Sequence, residues 1–451
     1  MDLRTRTAGP ATASVPDTLR AVAGVLLPLV ARGVIVRRQR VVALGERLDA
    51  DRRLVRTLQR LRRRYGAGPL LLHLPLRRIV LVLADDDVHR VLAASPDPFA
   101  TATPEKRAAL GRFEPHGVLI SDAADRPDRR RWNEDVLDTE RPVHHLAGPM
   151  TAVVRAEAHA LLDDVAARGG TLDWPAFTAA WFRSVRRVTL GDAARDDTAL
   201  TDALARLRAL GNWAMFAPRR PALTADFLGR LRTRLERAEP GSLAAVAAGI
   251  PAGPHTATLD QVPQWLFAFD AAGMASFRAL ALLVAHPDVL TDVRAEGSGA
   301  QDATLPTLRA ALLEAVRLWP TTPAILRETT APADLGGTTV PAGTLVLIAA
   351  ALFHRDDERH DWAHRFTPEL WSRSGAVDRG AGTPAAVVPF SEGPAVCPGQ
   401  NLVLFLTSTF LAALLDGNDV APARVPIRRG RPLPGTLDPF HLRFTLTPIP
   451  R

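Results

Sequence analysis

Apolar and charged residues recur at helical spacing from Arg40 to Tyr65, and Gly66 with Gly68-Pro69 ends that stretch. The apolar run Leu70–Ala84 reads as two short strands around a turn, with a helix following at Asp86–Leu92. Residues 93–122 show no sustained period; irregular segments of that length carry function or move. Helical periodicity returns over Arg130–Val136, Met150–Arg168, Trp174–Thr189, Thr198–Leu210 and Phe227–Arg237, with a loop at Gly211–Thr224 that holds Trp213, Met215 and Phe216. Leu259–Ala285 is nearly all apolar, which predicts a helix buried through the middle of the fold. Leu305–Leu318 is amphipathic and stops at Trp319-Pro320. Leu335–Phe353 carries turn signals and a strand, 354–396 reads as coil, and Pro398–Leu415 predicts the last long helix. The pattern as a whole is mainly α with small β-sheets.

The N-terminus is less regular. Residues 1–17 are polar and Pro/Thr-rich, a composition that predicts no fixed structure. Ala21–Val36 is apolar but carries Pro28 and Arg32, and it falls short of the roughly 20 clean residues a membrane span needs. A buried or surface-lying helix is expected, not membrane association. With no internal repeat or linker, the chain divides into an N-terminal extension, 1–39, and one domain, 40–451.

Composition narrows the function classes. Hydrophobic residues make up 47% and charged residues 23%, as in globular chains. The net charge of +8 is almost all arginine, and Lys106 is the only lysine. The clusters Arg62-Arg63-Arg64 and Arg129-Arg130-Arg131 are interleaved with acids and accompany no nucleic-acid motif. They predict solvated faces or docking of an acidic protein. A single cysteine, Cys397, excludes an internal disulfide and any zinc site built from several thiolates.

That cysteine follows a Pro/Gly-rich loop and precedes an apolar helical run, in "PFSEGPAVCPGQNLVLF". A thiol beside a helix N-terminus meets free amide N–H groups that favour a thiolate. A nucleophilic thiolate wants a histidine base, and His354, His360 and His364 lie in coil upstream. A buried structural thiol fits poorly with the loop position. Ligation of heme iron is the third reading.

"FSEGPAVCPG" resembles F-x-x-G-x-x-x-C-x-G, the heme-binding loop of the cytochrome P-450 superfamily. Further stretches match in order: "EAVR" resembles the family's E-x-x-R, "FDAAGMASF" its oxygen-activating helix, "LRET" the strand with a propionate-binding arginine, and "FTPELW" its F-x-P-E stretch. The resemblance implies the P-450 fold, with heme b ligated through Cys397. Phe390, Gly393 and Gly399 shape the loop, Arg327 with Arg126 and Arg130 binds propionates, and Glu314 pairs with Arg317. It implies Ala272, Gly273 and Ser276 at the oxygen-activating position of the long helix. It also implies a cytoplasmic oxidoreductase acting on a mostly hydrophobic small molecule in bacterial secondary metabolism, with electrons from a ferredoxin and ferredoxin reductase.

Four positions depart from the family pattern. Ala275 stands where the family has an acid and Ser276 where it has threonine, so proton delivery is atypical. Ala395 replaces a basic residue near a propionate. Leu370 replaces an arginine of the Glu314/Arg317 network, for which Arg365 or Arg373 is the expected substitute. These departures leave room for peroxide-driven, radical-coupling or non-oxygen chemistry, or for a non-catalytic binding protein of the same fold. A zinc hydrolase using His354, His360 and His364 is the remote alternative.

Overall fold

The computed structural model describes residues 9–214, 216–298, 304–371 and 383–449. It opens with β1 (Ala11–Thr12) and α1 (Val15–Ala21), which runs through a π turn at Val22–Leu26 into α2 (Leu27–Ala31). Polarity predicts no structure for residues 9–17, yet tertiary contacts fix them. The Ser14 N–H donates to the hydroxyl of Tyr65, the chain's one tyrosine, at 2.9 Å, and that hydroxyl donates to Asp17 Oδ2 at 2.8 Å. The Tyr65 hydrogen bond is the largest influence holding the Asp17 carboxyl down at about 2. In the helical segment, Ala21, Val25 and Leu29 face inward while Leu19, Leu27 and Val30 are exposed.

Two helices, α3 (Gln39–Arg47) and α4 (Ala50–Tyr65), replace the single helix the periodicity predicts for 40–65. Asp49 between them has φ +48°, a conformation that Asp tolerates better than most residues. Thr436 accepts from the Asp51 N–H at 3.1 Å, so the C-terminal region holds the break. Then come β2 (Leu70–Leu72), β3 (Ile79–Leu81) and α5 (Asp85–Ala93). The aperiodic stretch 93–122 contains β4 (Phe99–Ala100) and α6 (Pro104–Leu110). Next are α7 (Arg126–Leu137), α8 (Ala147–Ala167), β5 (Thr171–Asp173), α9 (Trp174–Leu190) and α10 (Thr198–Gly211). They lead through α11 (Pro221–Arg237) and α12 (Leu243–Gly249) to α13 (Val262–Ala285). The remainder is α14 (Pro287–Ser298), α15 (Pro306–Leu318), β6 (Ala324–Thr329), β7 (Ala333–Leu335), β8 (Thr338–Val340) and β9 (Leu345–Ala349). It ends with α16 (Ala350–His354), α17 (Gln400–Leu415), β10 (Asn418–Arg424) and β11 (Arg443–Pro448).

A six-stranded sheet runs in the order β1-β2-β3-β9-β6-β4, and β10-β11-β5 and the β7-β8 hairpin stand apart. One apolar core lies under the helices α8, α9, α13, α15 and α17, and a second lies against the large sheet. The helix α13 is buried by aromatic packing: the Phe277 ring sits 4.9 Å from Phe177 and 5.1 Å from Phe444. Among the described residues this is the one helix long and apolar enough to cross a membrane, and 72% of its most apolar window is buried inside the protein.

The arginine clusters are solvated only in part: Arg63, Arg64 and Arg131 are exposed, while one arginine of each cluster is buried. Arg62 is buried in a bidentate contact with Asp356, at 2.5 and 3.0 Å, and Arg129 is buried against Asp125, Ser121 and the His255 carbonyl. The charge that looked available for a partner is partly spent inside. Trp213 and Phe216 point outward, 56% and 86% exposed, and Trp213 lies under the Arg38 guanidinium. They therefore face away from the interior, and Met215 lies outside the described residues.

Candidate functional site

The cysteine loop leaves the joint of the two cores, where Val387 belongs to the helical one and Val388 to the sheet one. Gly393 takes φ +70°, and a Cβ there would overlap the Leu92 carbonyl oxygen at the end of α5. Only glycine satisfies both demands. The Cys397 N–H donates to the Phe390 carbonyl at 3.0 Å, closing the loop. The Gly399 N–H donates to the Cys397 sulfur, and α17 starts one residue later, at Gln400. The amide expected to favour a thiolate does so, but it does not prevail. Burial pushes the Cys397 thiol up, outweighing the Gly399 amide and the Arg130 charge that pull it down. A bound metal cation is what converts such a thiol to thiolate.

Beside the loop lies a cluster of cations. In β6, the side chains of Ile325, Arg327 and Thr329 alternate onto the buried face, so Arg327 is a charge in an apolar row. Its Nε donates to Ser95 Oγ at 2.8 Å, and its Nη2 reaches Ser391 Oγ at 3.4 Å. Arg126, on the first turn of α7, donates to the Val118 carbonyl at 2.9 Å. Lys106 on α6 is half-buried and donates to the carbonyls of Thr101 and Leu326, at 2.9 and 3.0 Å. None of the three has an ion pair among the described residues. Burial first, then repulsion by Arg130 on Arg126, by Arg126 on Arg327 and by both Arg327 and Arg126 on Lys106, lowers the two arginines to about 10 and Lys106 to about 7. Such a cluster is unfavourable unless an anion neutralises it. Arg130, expected in this group, is spent elsewhere. Its Nε pairs with Glu134 at 2.5 Å and its Nη1 donates to the Val396 carbonyl at 2.6 Å, bracing the cysteine loop.

On α13, Gln264, Phe267, Ala268 and Ala271 are half-buried while most of the remaining turns are fully packed. Ala272 and Ser276 are buried, and the Ser276 hydroxyl donates to the Ala272 carbonyl at 2.9 Å. Gly273 serves packing: a Cβ there would lie 3.0 Å from Trp181 Cδ1, and Trp181 Nε1 donates to the Phe269 carbonyl at 2.8 Å. Asp270 is paired with Arg208 at 2.8 Å.

Glu314 and Arg317 pair on α15 at 2.6 and 2.8 Å, fully buried. The missing arginine is not replaced by the Arg365 guanidinium, since Arg317 takes only the Arg365 carbonyl, at 2.7 Å. Arg373 lies outside the described residues. Trp371 Nε1 and the Thr367 N–H donate to Glu314 instead, at 3.0 and 2.8 Å. The sequence signal for this was the tryptophan ending "FTPELW". Lys106 was also missed, although one lysine kept among 56 cationic residues was a visible anomaly.

The three histidines of the zinc alternative do not converge. His354 Nε2 accepts from the Val388 N–H, His360 stacks on Trp362, and His364 bonds Arg355 and Asp357. The zinc-hydrolase reading is thereby overturned. The ring nitrogens of His144, in the Asp138–His144–His145 group, are both committed to the backbone.

The Cytochrome P450 family model matches residues 268–426, which include the cysteine loop, α15 and most of α13. The chain is similar to cyclooctat-9-en-7-ol 5-monooxygenase of Streptomyces melanosporofaciens, 34% identical over 40% of this chain and 38% of that protein. It is also similar to 2-hydroxyisoflavanone synthase of Glycine max, 29% identical over 34% of this chain and 32% of that protein. In both cases the match spans well under half of the relative's length. Solved structures extend the likeness to the fold. A zebra fish cytochrome P450 solved with progesterone superposes with a TM-score of 0.66, at 19% identity, over 87% of this chain and 99% of that one. Another cytochrome P450 crystal structure gives 0.69, also at 19% identity, over 87% of this chain and 97% of that one.

Residues 268–426 match the Cytochrome P450 family, and the chain as a whole has the cytochrome P450 fold.

The cofactor of a cytochrome P450 is heme b, and the residues present fit it. The chain offers one thiol ligand in a loop kept close to the protein by Gly393, and three cations without an ion pair among the described residues, suited to two propionates.

Proposed function

We propose that this cytochrome P450 is a heme-thiolate monooxygenase oxidising a mostly apolar small molecule in bacterial secondary metabolism. One observation carries the reading: the buried cations Arg126 and Arg327, with Lys106, stand beside a loop whose only soft ligand is Cys397. Heme b, when bound, supplies oxygen-activating redox chemistry through its iron. Cys397 holds the iron as its protein ligand, with the Gly399 N–H on the sulfur. Arg327, Arg126 and Lys106 hold the propionates, and Lys106 supplies the positive charge that Ala395 does not. Phe390 and Gly393 hold the loop's shape, and Arg130 ties the loop to α7. Gln264, Phe267, Ala268 and Ala271 line a largely apolar substrate chamber. The relative named for cyclooctat-9-en-7-ol supports a substrate of that apolar kind. Electrons come from a ferredoxin and its reductase, and the protein works in the cytoplasm.

Non-standard chemistry is favoured by one observation. Ala275 carries no proton, and the Ser276 hydroxyl is donated to its own helix. Reconstitution with ferredoxin, reductase and NAD(P)H separates the two readings. Monooxygenation predicts product formed in close proportion to NAD(P)H consumed. Turnover with hydrogen peroxide but only uncoupled NAD(P)H oxidation would instead establish the peroxide-driven form.

A further inference from the structure

The segment between α6 and α7 crosses the first turns of α13. Gln261 clamps it there: its Nε2 donates to the His116 carbonyl at 2.9 Å, and its Oε1 accepts from the Val118 N–H at 3.1 Å. His116 bonds Asp260 at 2.5 Å, and the Phe113 ring meets Phe267 edge-on at 6.3 Å. Between these anchors sits Glu114, with no exposed surface. Neither of its carboxyl oxygens has a hydrogen-bond partner.

Two neighbours are incomplete in the same way. Arg208 is near enough to Glu114 to act on it electrostatically, yet it spends its Nη2 on Asp270 and lies over the Phe267 ring at 4.5 Å. Its Nε–H is buried and unpartnered. Gln264, one turn beyond Gln261, has a buried and unpartnered Oε1. The surrounding side chains, Phe113, Val118, Phe267 and Ala268, are apolar. Folded proteins seldom leave three buried polar groups unsatisfied in one region, because each costs its lost hydration. Burial, reinforced by the Asp260 charge, holds the Glu114 carboxyl well above its usual range, which favours the protonated form that both donates and accepts.

We infer that Glu114, with Arg208 Nε and Gln264 Oε1, is a specificity-determining polar corner that receives a hydroxyl group of an otherwise apolar substrate. A hydroxyl donates and accepts from one atom, which matches a set holding an N–H donor, an amide acceptor and a carboxyl that does both. An ammonium group has no acceptor for Arg208 Nε and would meet its positive charge. A carboxylate has no donor for Gln264 and would be repelled by Asp260. The inference rests on the substrate-chamber reading above and adds the polar element that chamber otherwise lacks.

The test uses the heme-loaded protein and two probe pairs, 1-adamantanol with adamantane and cyclododecanol with cyclododecane, titrated by the spin-state shift of the Soret band. Wild type binds the alcohol of a pair roughly tenfold or more tighter than its hydrocarbon. Glu114→Leu abolishes that ratio and raises the melting temperature because an unsatisfied carboxyl is gone. Glu114→Gln, which keeps both hydrogen-bonding functions, retains the preference. Hydrocarbon shifts with no alcohol preference in wild type, or a preference that survives in Glu114→Leu, overturn the inference alone. A fall in melting temperature for Glu114→Leu also overturns it, since the carboxyl would then be a structural group satisfied by water. Absence of any Soret shift with either member of both pairs overturns it together with the substrate-chamber reading.

Discussion

Glu114 aside, the largest stability effect is expected from Glu314→Ala, which lowers the free energy of unfolding by about 3–5 kcal/mol. The Glu314 carboxylate is fully buried and takes four hydrogen bonds, from Arg317 Nε and Nη2, Trp371 Nε1 and the Thr367 N–H. Its removal strands a buried guanidinium whose other hydrogen bonds go to the carbonyls of His354, Ala363 and Arg365. Arg317 has no exposed surface through which solvent could compensate it, so the penalty is that of an uncompensated ion and not of one hydrogen bond. Trp371→Phe removes a single donor and costs about 1–2 kcal/mol. Urea unfolding of both variants checks the ordering. A Glu314→Ala loss below the Trp371→Phe loss would mean that the network is not the unit described.

Lys106→Met is expected to separate the stability of the protein from its hold on heme. Without heme, the Lys106 ammonium stands near Arg327 and Arg126 with no carboxylate in contact, so the substitution stabilises the heme-free protein. With heme, it removes a charge-assisted hydrogen bond worth about 1.5–3 kcal/mol, which weakens retention roughly 10- to 150-fold. The pH dependence carries a definite sign. Burial lowers Lys106 to about 7 in the fold, below its ordinary value near 10.5. Between those values the unfolded chain binds the extra proton, so heme-free stability rises as pH increases from about 7 toward 10. Lys106→Met flattens that rise. Unfolding curves of the heme-free protein across this range, with heme-transfer rates to an acceptor globin, measure both halves. A Lys106→Met protein that loses heme no faster than wild type would place the propionates elsewhere.

What the sequence made legible followed from local rules. The buried helix α13 was visible because Leu259–Ala285 is apolar on nearly every face. The cysteine loop was visible because Gly393 must hold a positive φ against Leu92, a demand that leaves few residue choices and hence a recognisable motif. Arg327 was legible through the same motif order, and its placement on a buried strand face explains why a charge belongs there. The missed features depend on distant segments meeting. The helical period breaks at Asp49 because Thr436, 385 positions beyond Asp51, holds the start of α4. Arg130 shares the spacing of Arg126 but finds the Val396 carbonyl instead. Trp371 donates to Glu314 where the family pattern has an arginine, and Lys106 comes from another helix to stand near Arg327 and Arg126. No periodicity or spacing encodes such replacements, because only the folded chain brings the substitute to the vacancy.

The central claim is that Cys397 is the protein ligand to heme iron, and the ferrous–carbonyl spectrum of the purified protein tests it most directly. Wild type should show the red-shifted band that a thiolate ligand gives, and Cys397→Ser should lose it while the fold is retained. A wild-type band at the position of a histidine-ligated heme, or a red-shifted band that persists in Cys397→Ser, would contradict the account.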